Sequence, residues 1–204
     1  MNSYFSISED HLGTLIPSVA VEVFRDLLWA EARRKGVPIS KIRISCDITT
    51  PDGGVDAWIE ENALNTDADL LLAGNTHYQI KTGDNTKPWR KAWVKKELFG
   101  PTRRKTTAEN LGSAVLDCLK TNGKYILVSF GCDLTKPQLK SAKDHFRFCF
   151  AQCGFPDAKV DVWGQTQLLG FLSAYPSLCL KIANRDSLGC NRSSAMQRAT
   201  NLSV

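Results

Sequence analysis

The order of apolar and polar positions along this chain predicts helices alternating with strands. Ile16, Val19, Ala20, Val23, Phe24, Leu27 and Leu28 recur at helical spacing, which predicts a helix over residues 16–35, entered at Pro17 and closed by Gly36 and Pro38. Residues 42–48 (IRISCDI) alternate and predict a strand. Thr49 to Gly54 is turn chemistry, and residues 55–60 and 76–82 read as two further strands. Leu111, Ala114, Val115, Cys118 and Leu119 predict a helix within residues 107–120. The run Tyr125 to Phe130 is apolar throughout, as in a strand buried on both faces. Leu139, Ala142, Phe146, Cys149, Phe150 and Cys153 share one helical face over residues 136–153. A short strand over 159–163 and a last helix over 165–175 complete the pattern.

Strands linked through helices, as from residue 76 onward, need crossovers and pair parallel. The earlier strands are joined by tight turns and should pair antiparallel. The expected fold class is α/β, a mixed central sheet flanked by helices. Beyond Ala183 the chain is polar and rich in Ser and Asn. Residues 1–183 therefore read as one domain, and 184–204 as a tail or a linker to a downstream module.

Composition narrows the class. No apolar run reaches the roughly 18 residues of a membrane helix, and the N-terminus lacks the pattern of an export signal. Seven cysteines, scattered and odd in number, suggest reduced buried thiols and a cytoplasmic setting. Three separated histidines argue against a zinc site. The chain carries a net charge of +5, unevenly placed. Residues 81–105 hold nine Lys or Arg against Asp84 and Glu97, a local excess of +7 that leaves −2 for the rest. Lys87, Arg90, Lys91, Lys95, Lys96, Arg103, Arg104 and Lys105 form that excess around the lysine at 81. Such a patch suits a polyanion, because neutralised phosphates release counterions. A solvated surface loop is the plainer alternative. Trp89 and Trp93 fit better as anchors of this segment than as stacking platforms.

The chemistry is concentrated between residues 52 and 81. Asp52-Gly53-Gly54-Val55-Asp56 runs into one strand, and the next ends in Gln79-Ile80-Lys81. Residues 79 and 81 share a face, because strand side chains alternate. Hydrolysis of a phosphodiester needs an activated water and a cation against the developing charge. Mg²⁺ takes one or two carboxylates plus other oxygens. Asp56 can supply a carboxylate, Gln79 its amide oxygen and Ile80 its backbone carbonyl, while Lys81 can orient or deprotonate water or stabilise the phosphate. The tripeptide alone is weak: Gln138-Leu139-Lys140 and Asp157-Ala158-Lys159 match it too. Only the first follows a Gly-Gly-x-Asp strand at hairpin distance.

With these residues in place, the chain resembles the PD-(D/E)xK nuclease superfamily. Gly53-Gly54-Val55-Asp56 followed by Gln79-Ile80-Lys81 looks like the Mrr-like branch, where Gln replaces the usual acid. It resembles still more the effector nucleases of bacterial anti-phage systems, both the CD-NTase-associated endonuclease domain and the N-terminal nuclease domains of STAND-ATPase (AVAST-type) proteins. The resemblance spans most of residues 10–182. It implies a restriction-endonuclease-like fold and cleavage of double-stranded DNA with Mg²⁺ or Mn²⁺. It implies control by a homo-oligomer or by a fused ATPase or sensor. No helix is an evident reading head, and Arg90, Lys91, Lys95 and Lys96 look like phosphate contacts, so little sequence specificity is expected. The resemblance also implies a metal-site glutamate on the first helix, matched best by Glu22, with Glu31 as runner-up. Asp52 then becomes a turn residue or a secondary ligand. A catalytically silent DNA-binding module, or a domain that contacts an acidic protein or RNA, remains open at this point.

Overall fold

A computed structural model of the chain describes residues 7–44, 53–62, 70–100 and 105–184. Five strands lie in sequence order across one sheet: β1 (Ile42–Ile44), β2 (Ala57–Asn62), β3 (Gly74–Lys81), β4 (Lys124–Ser129) and β5 (Lys159–Trp163). β1, β2 and β3 pair antiparallel, whereas β3, β4 and β5 pair parallel. The mixed sheet is the one expected from the connections. Tight links keep neighbours antiparallel, and helical crossovers return the chain in the same direction.

The helices are α1 (Glu9–Gly13), α2 (Pro17–Lys35), α3 (Lys91–Phe99), α4 (Ser113–Lys120), α5 (Lys136–Gln152), α6 (Gln165–Ser173) and α7 over residues 176–184. The α2 boundaries follow from local chemistry. Pro17 stands in the first turn, where a missing N–H costs nothing, and Gly36 ends the helix at φ 70°. Arg33, Arg34 and Lys35 in the last turn complement the helix dipole. In α5, Thr135 and Gln138 form a capping box.

The sheet separates two cores. Leu12 of α1, the apolar stripe of α2, and α6 and α7 pack on one face against Ala57, Ile59, Tyr78, Ile80, Ile126 and Val128. α3, α4 and α5 cover the other face, against Tyr125, Leu127, Val160 and Val162. β4 is thus buried on both sides, as its unbroken apolar run requires. Trp93 packs against the second core, as an anchor would.

Two segments differ from the sequence pattern. The helix expected over 107–120 starts only at Ser113, preceded by a 3-10 turn at Ala108–Asn110. Gly112 causes the delay. Its backbone lies so close to Gly53 that a Cβ would fall 2.0 Å from the Gly53 carbonyl oxygen. The second difference is α7, which no sequence signal singled out, and which seals the first core with Cys179 and Ile182. The expected strand over 42–48 is present as far as Ile44; its remainder, and most of the tail over 184–204, lie outside the described residues.

Among the described residues, no helix is long and apolar enough to cross a membrane. Cys118, Cys132, Cys149, Cys153 and Cys179 are free thiols, and burial pushes Cys118 up to about 12. A thiol held that high stays protonated and unreactive at neutral pH.

Candidate active site

The second core's face of β3 carries the chemistry. Gln79 and Lys81 lie two apart on an extended strand, so both side chains emerge on that face. The pairing of Ala57 with Tyr78 sets Asp56, one residue before β2, opposite Gln79. Two bonds fix it there. The Asp56 N–H donates to the Tyr78 carbonyl at 2.9 Å, and the Ile80 N–H donates to Asp56 Oδ2 at 2.5 Å. The carboxylate is therefore held against the strand that bears Lys81. Strand geometry turns the Ile80 carbonyl to the same side as the Ile80 N–H, beside Asp56 and beyond the start of β2.

The Gly-Gly turn ahead of Asp56 is docked on α4. Gly53 adopts φ 72°, and its carbonyl accepts the Val115 N–H at 3.4 Å. One of the free N–H groups at the start of α4 is satisfied in this way. A Cβ on Gly53 would lie 2.7 Å from the Ala114 nitrogen, so the turn tolerates only glycine there. Val55 then buries its side chain in the second core, and Asp56 follows.

A residue that the sequence did not single out completes the cluster. Glu97 of α3 places Oε1 2.5 Å from Lys81 Nζ and 2.8 Å from Gln79 Nε2. The Tyr125 hydroxyl donates to the other end of the Gln79 amide. Tyr125 is fully buried, and its phenol is held well above the usual range, first by burial and then by the charges of Glu97 and Asp56. It remains a hydrogen-bond donor at any working pH. Asp56, Gln79, Lys81, Glu97 and Tyr125 thus converge from β2, β3, α3 and β4. Two carboxylates and one ammonium leave the site a net −1, a charge suited to a cation.

The helix acids stand elsewhere. Glu22 lies on α2, which packs against the opposite face of the sheet, and its carboxylate is 2.7 Å from Lys181 Nζ. Glu31, 2 % exposed, is clamped by Arg34 at 2.6 and 2.7 Å and accepts from the Tyr175 hydroxyl. Burial pushes the Glu31 carboxyl up, but the bonds from Arg34 and Tyr175 outweigh it and hold the group below its ordinary value. Both glutamates tie α2 down through these contacts. The helix acid found beside Lys81 is Glu97 of α3. The amide oxygen of Gln79, read from the sequence as a metal ligand, accepts the Tyr125 hydroxyl proton. Asp52 lies outside the described residues.

Glu97 was obscured by its company, as one of two acids in a run of bases. The signal was nevertheless present. It sits three residues after Val94 and one before Leu98, both buried, so it flanks the inward stripe of α3. Arg90, Lys91, Lys95 and Lys96 occupy the outward positions of the same helix and are exposed. Lys91 Nζ stands 4.0 Å over the Phe148 ring of α5. Lys87 is half-buried, Lys105 is exposed, and Arg103 and Arg104 lie outside the described residues.

Among the described residues no group of three or more His, Cys, Asp or Glu side chains gathers to hold a metal. A hard cation needs less: two carboxylates, a backbone carbonyl and waters meet the requirement of Mg²⁺. Asp56, Glu97 and the Ile80 carbonyl are the groups that could supply such oxygens. A cleft of about 410 Å³ lies further back along β3, lined by Trp58, His77, Ser113 and Asp117. Comparison with protein-family models, curated proteins and solved structures gave no significant match.

Proposed function

We propose that this chain is a Mg²⁺- or Mn²⁺-dependent endonuclease acting on double-stranded DNA, with a restriction-endonuclease-like fold of the PD-(D/E)xK type. The observation that carries the reading is the dual role of α3. One flank delivers Glu97 to Lys81, and the outward face presents Arg90, Lys91, Lys95 and Lys96. A duplex lying on those cations has its phosphates beside Asp56 and Lys81. Contacts of this type position a backbone without reading bases, which accords with little sequence specificity.

Asp56, Glu97 and the Ile80 carbonyl are the groups that would hold the cation. When bound, it supplies charge neutralisation at the phosphate and a more acidic water. Lys81 stands at the edge of that set. Its ammonium stabilises charge on the phosphate oxygens and orients the attacking water. Asp56 is kept in place by the backbone of β3, so the site is formed before the substrate arrives. With the resemblance of its motif to bacterial anti-phage effectors, the proposal extends to an N-terminal effector domain in the cytoplasm. Self-association or a fused ATPase or sensor would regulate it.

The test is cleavage of supercoiled plasmid with Mg²⁺, run over a protein-concentration series to capture activation by self-association. Nicked and linear products are expected from the wild type, and none with EDTA. Asp56→Asn should cut at least about a hundredfold more slowly, because the cation loses a charged ligand, while still retarding duplex DNA. Retardation by the wild type without cleavage at any concentration would identify a silent DNA-binding module instead.

A further inference from the structure

We infer that Glu97 is the second acid of the cation site and that Gln79 is the positioning residue that aims it; this rests on the nuclease reading above. The geometry points to it in three ways.

The first is the orientation of the Gln79 amide. Tyr125 is buried beneath it and presents a hydroxyl proton, so the amide oxygen must face Tyr125. The amide nitrogen then faces Glu97 Oε1. The reverse orientation would set an oxygen against a carboxylate oxygen and the NH₂ against the phenol. The two partners lock the amide one way round, with its oxygen turned into the core. Gln79 is only 4 % exposed and has no second oxygen to offer.

The second is the position of Glu97. Its carboxylate takes one bond from Gln79 and one from Lys81, and its side chain is 21 % exposed. It therefore reaches both the floor of the site and the solvent from which a phosphate enters. Asp56, on the facing strand, stands at the same end of β3.

The third is charge. A carboxylate at position 79 would lie against Glu97, and the two would repel at hydrogen-bond distance. Gln at 79 and Glu at 97 are the compatible pair. Glu at 79 and Gln at 97 would be the other, with the acid returned to the strand and the same hydrogen bond donated from the helix side.

The test measures Mn²⁺ binding by titration calorimetry, with plasmid cleavage alongside, in six proteins. These are the wild type, Asp56→Asn, Glu97→Gln, Gln79→Met, Gln79→Glu, and the exchange Gln79→Glu with Glu97→Gln. Glu97→Gln should lower Mn²⁺ affinity at least about tenfold, as loss of a charged ligand does. Gln79→Met, which keeps the shape but removes the amide, should cost less than Glu97→Gln. Gln79→Glu alone should unfold at lower temperature than the wild type. The exchange should recover Mn²⁺ affinity and cleavage relative to Glu97→Gln, a rescue that a merely structural Glu97 would not give. Melting curves confirm that each variant is folded.

Unchanged Mn²⁺ affinity in Glu97→Gln, or a loss in Gln79→Met as large as in Asp56→Asn, would overturn the inference and return the ligand role to Gln79. A folded exchange variant no better than Glu97→Gln would overturn it too. If Asp56→Asn binds Mn²⁺ as well as the wild type does, the nuclease reading itself fails, so the two failures are distinct.

Discussion

Lys81→Ala is expected to slow plasmid cleavage by about 10²- to 10⁴-fold, the range for loss of a charge-stabilising or proton-transferring group. Its effect on binding should be small. Removing an ammonium from beside two carboxylates makes the pocket more negative, so Mn²⁺ affinity should hold or rise. Duplex affinity should hold as well, because the exposed bases of α3 are intact. The fold should survive, since Lys81 is a 30 % exposed side chain at the end of β3. Single-turnover cleavage, Mn²⁺ titration and DNA retardation on the same variant check this. Loss of DNA binding in step with cleavage would make Lys81 a phosphate contact and not a catalytic group.

The second large effect falls on a residue with no chemistry. Gly112→Ala should destabilise the chain by about 1–3 kcal/mol, as insertion of a methyl group into filled space does. The reason is purely steric. Gly112 has φ −58°, which any residue adopts, but the added Cβ would meet the Gly53 carbonyl at 2.0 Å. Relief requires the Gly-Gly turn to move off α4, and Asp56 is three residues from Gly53. Cleavage should therefore fall together with a drop in Tm of roughly 2–12 °C, at 2–4 °C per kcal/mol for a domain of this size. Gly170→Ala is the contrast: no atom lies within 4 Å of a Cβ there, and alanine in α6 should stabilise by about 0.5–1 kcal/mol. Differential scanning calorimetry on both variants, with cleavage rates, reads the prediction. A Gly112→Ala melt equal to wild type would mean that the turn is not anchored to α4.

These two positions also mark the limits of what the sequence could disclose. The directions of strand pairing were legible because each connection dictates its own, antiparallel through turns and parallel through helices. The face shared by Gln79 and Lys81 was legible from strand alternation, and the place of Asp56 from the hairpin distance. The close approach of Gly53 and Gly112 was not. It is a contact between residues 59 apart, and a glycine in a helical pattern reads only as a weak helix former. The bond between Gln79 and Tyr125 escaped for a similar reason: the two are 46 residues apart, and no local pattern announces it. Glu97 was hidden by the charge of its neighbours. Glu22 was drawn in by a resemblance; its helix α2 packs on the face of the sheet opposite Gln79 and Lys81.

The account centres on one cation held by Asp56, Glu97 and the Ile80 carbonyl beside Lys81. Crystals grown with Mn²⁺ and a short duplex test it directly, because manganese scatters anomalously and reports its own position. The expected result is an anomalous peak about 2.0–2.4 Å from carboxylate oxygens of Asp56 and Glu97 and from the Ile80 carbonyl, with a DNA phosphate within reach of Lys81. A peak bound without Asp56, or a duplex seated on α3 with its phosphates turned away from β3, would contradict it.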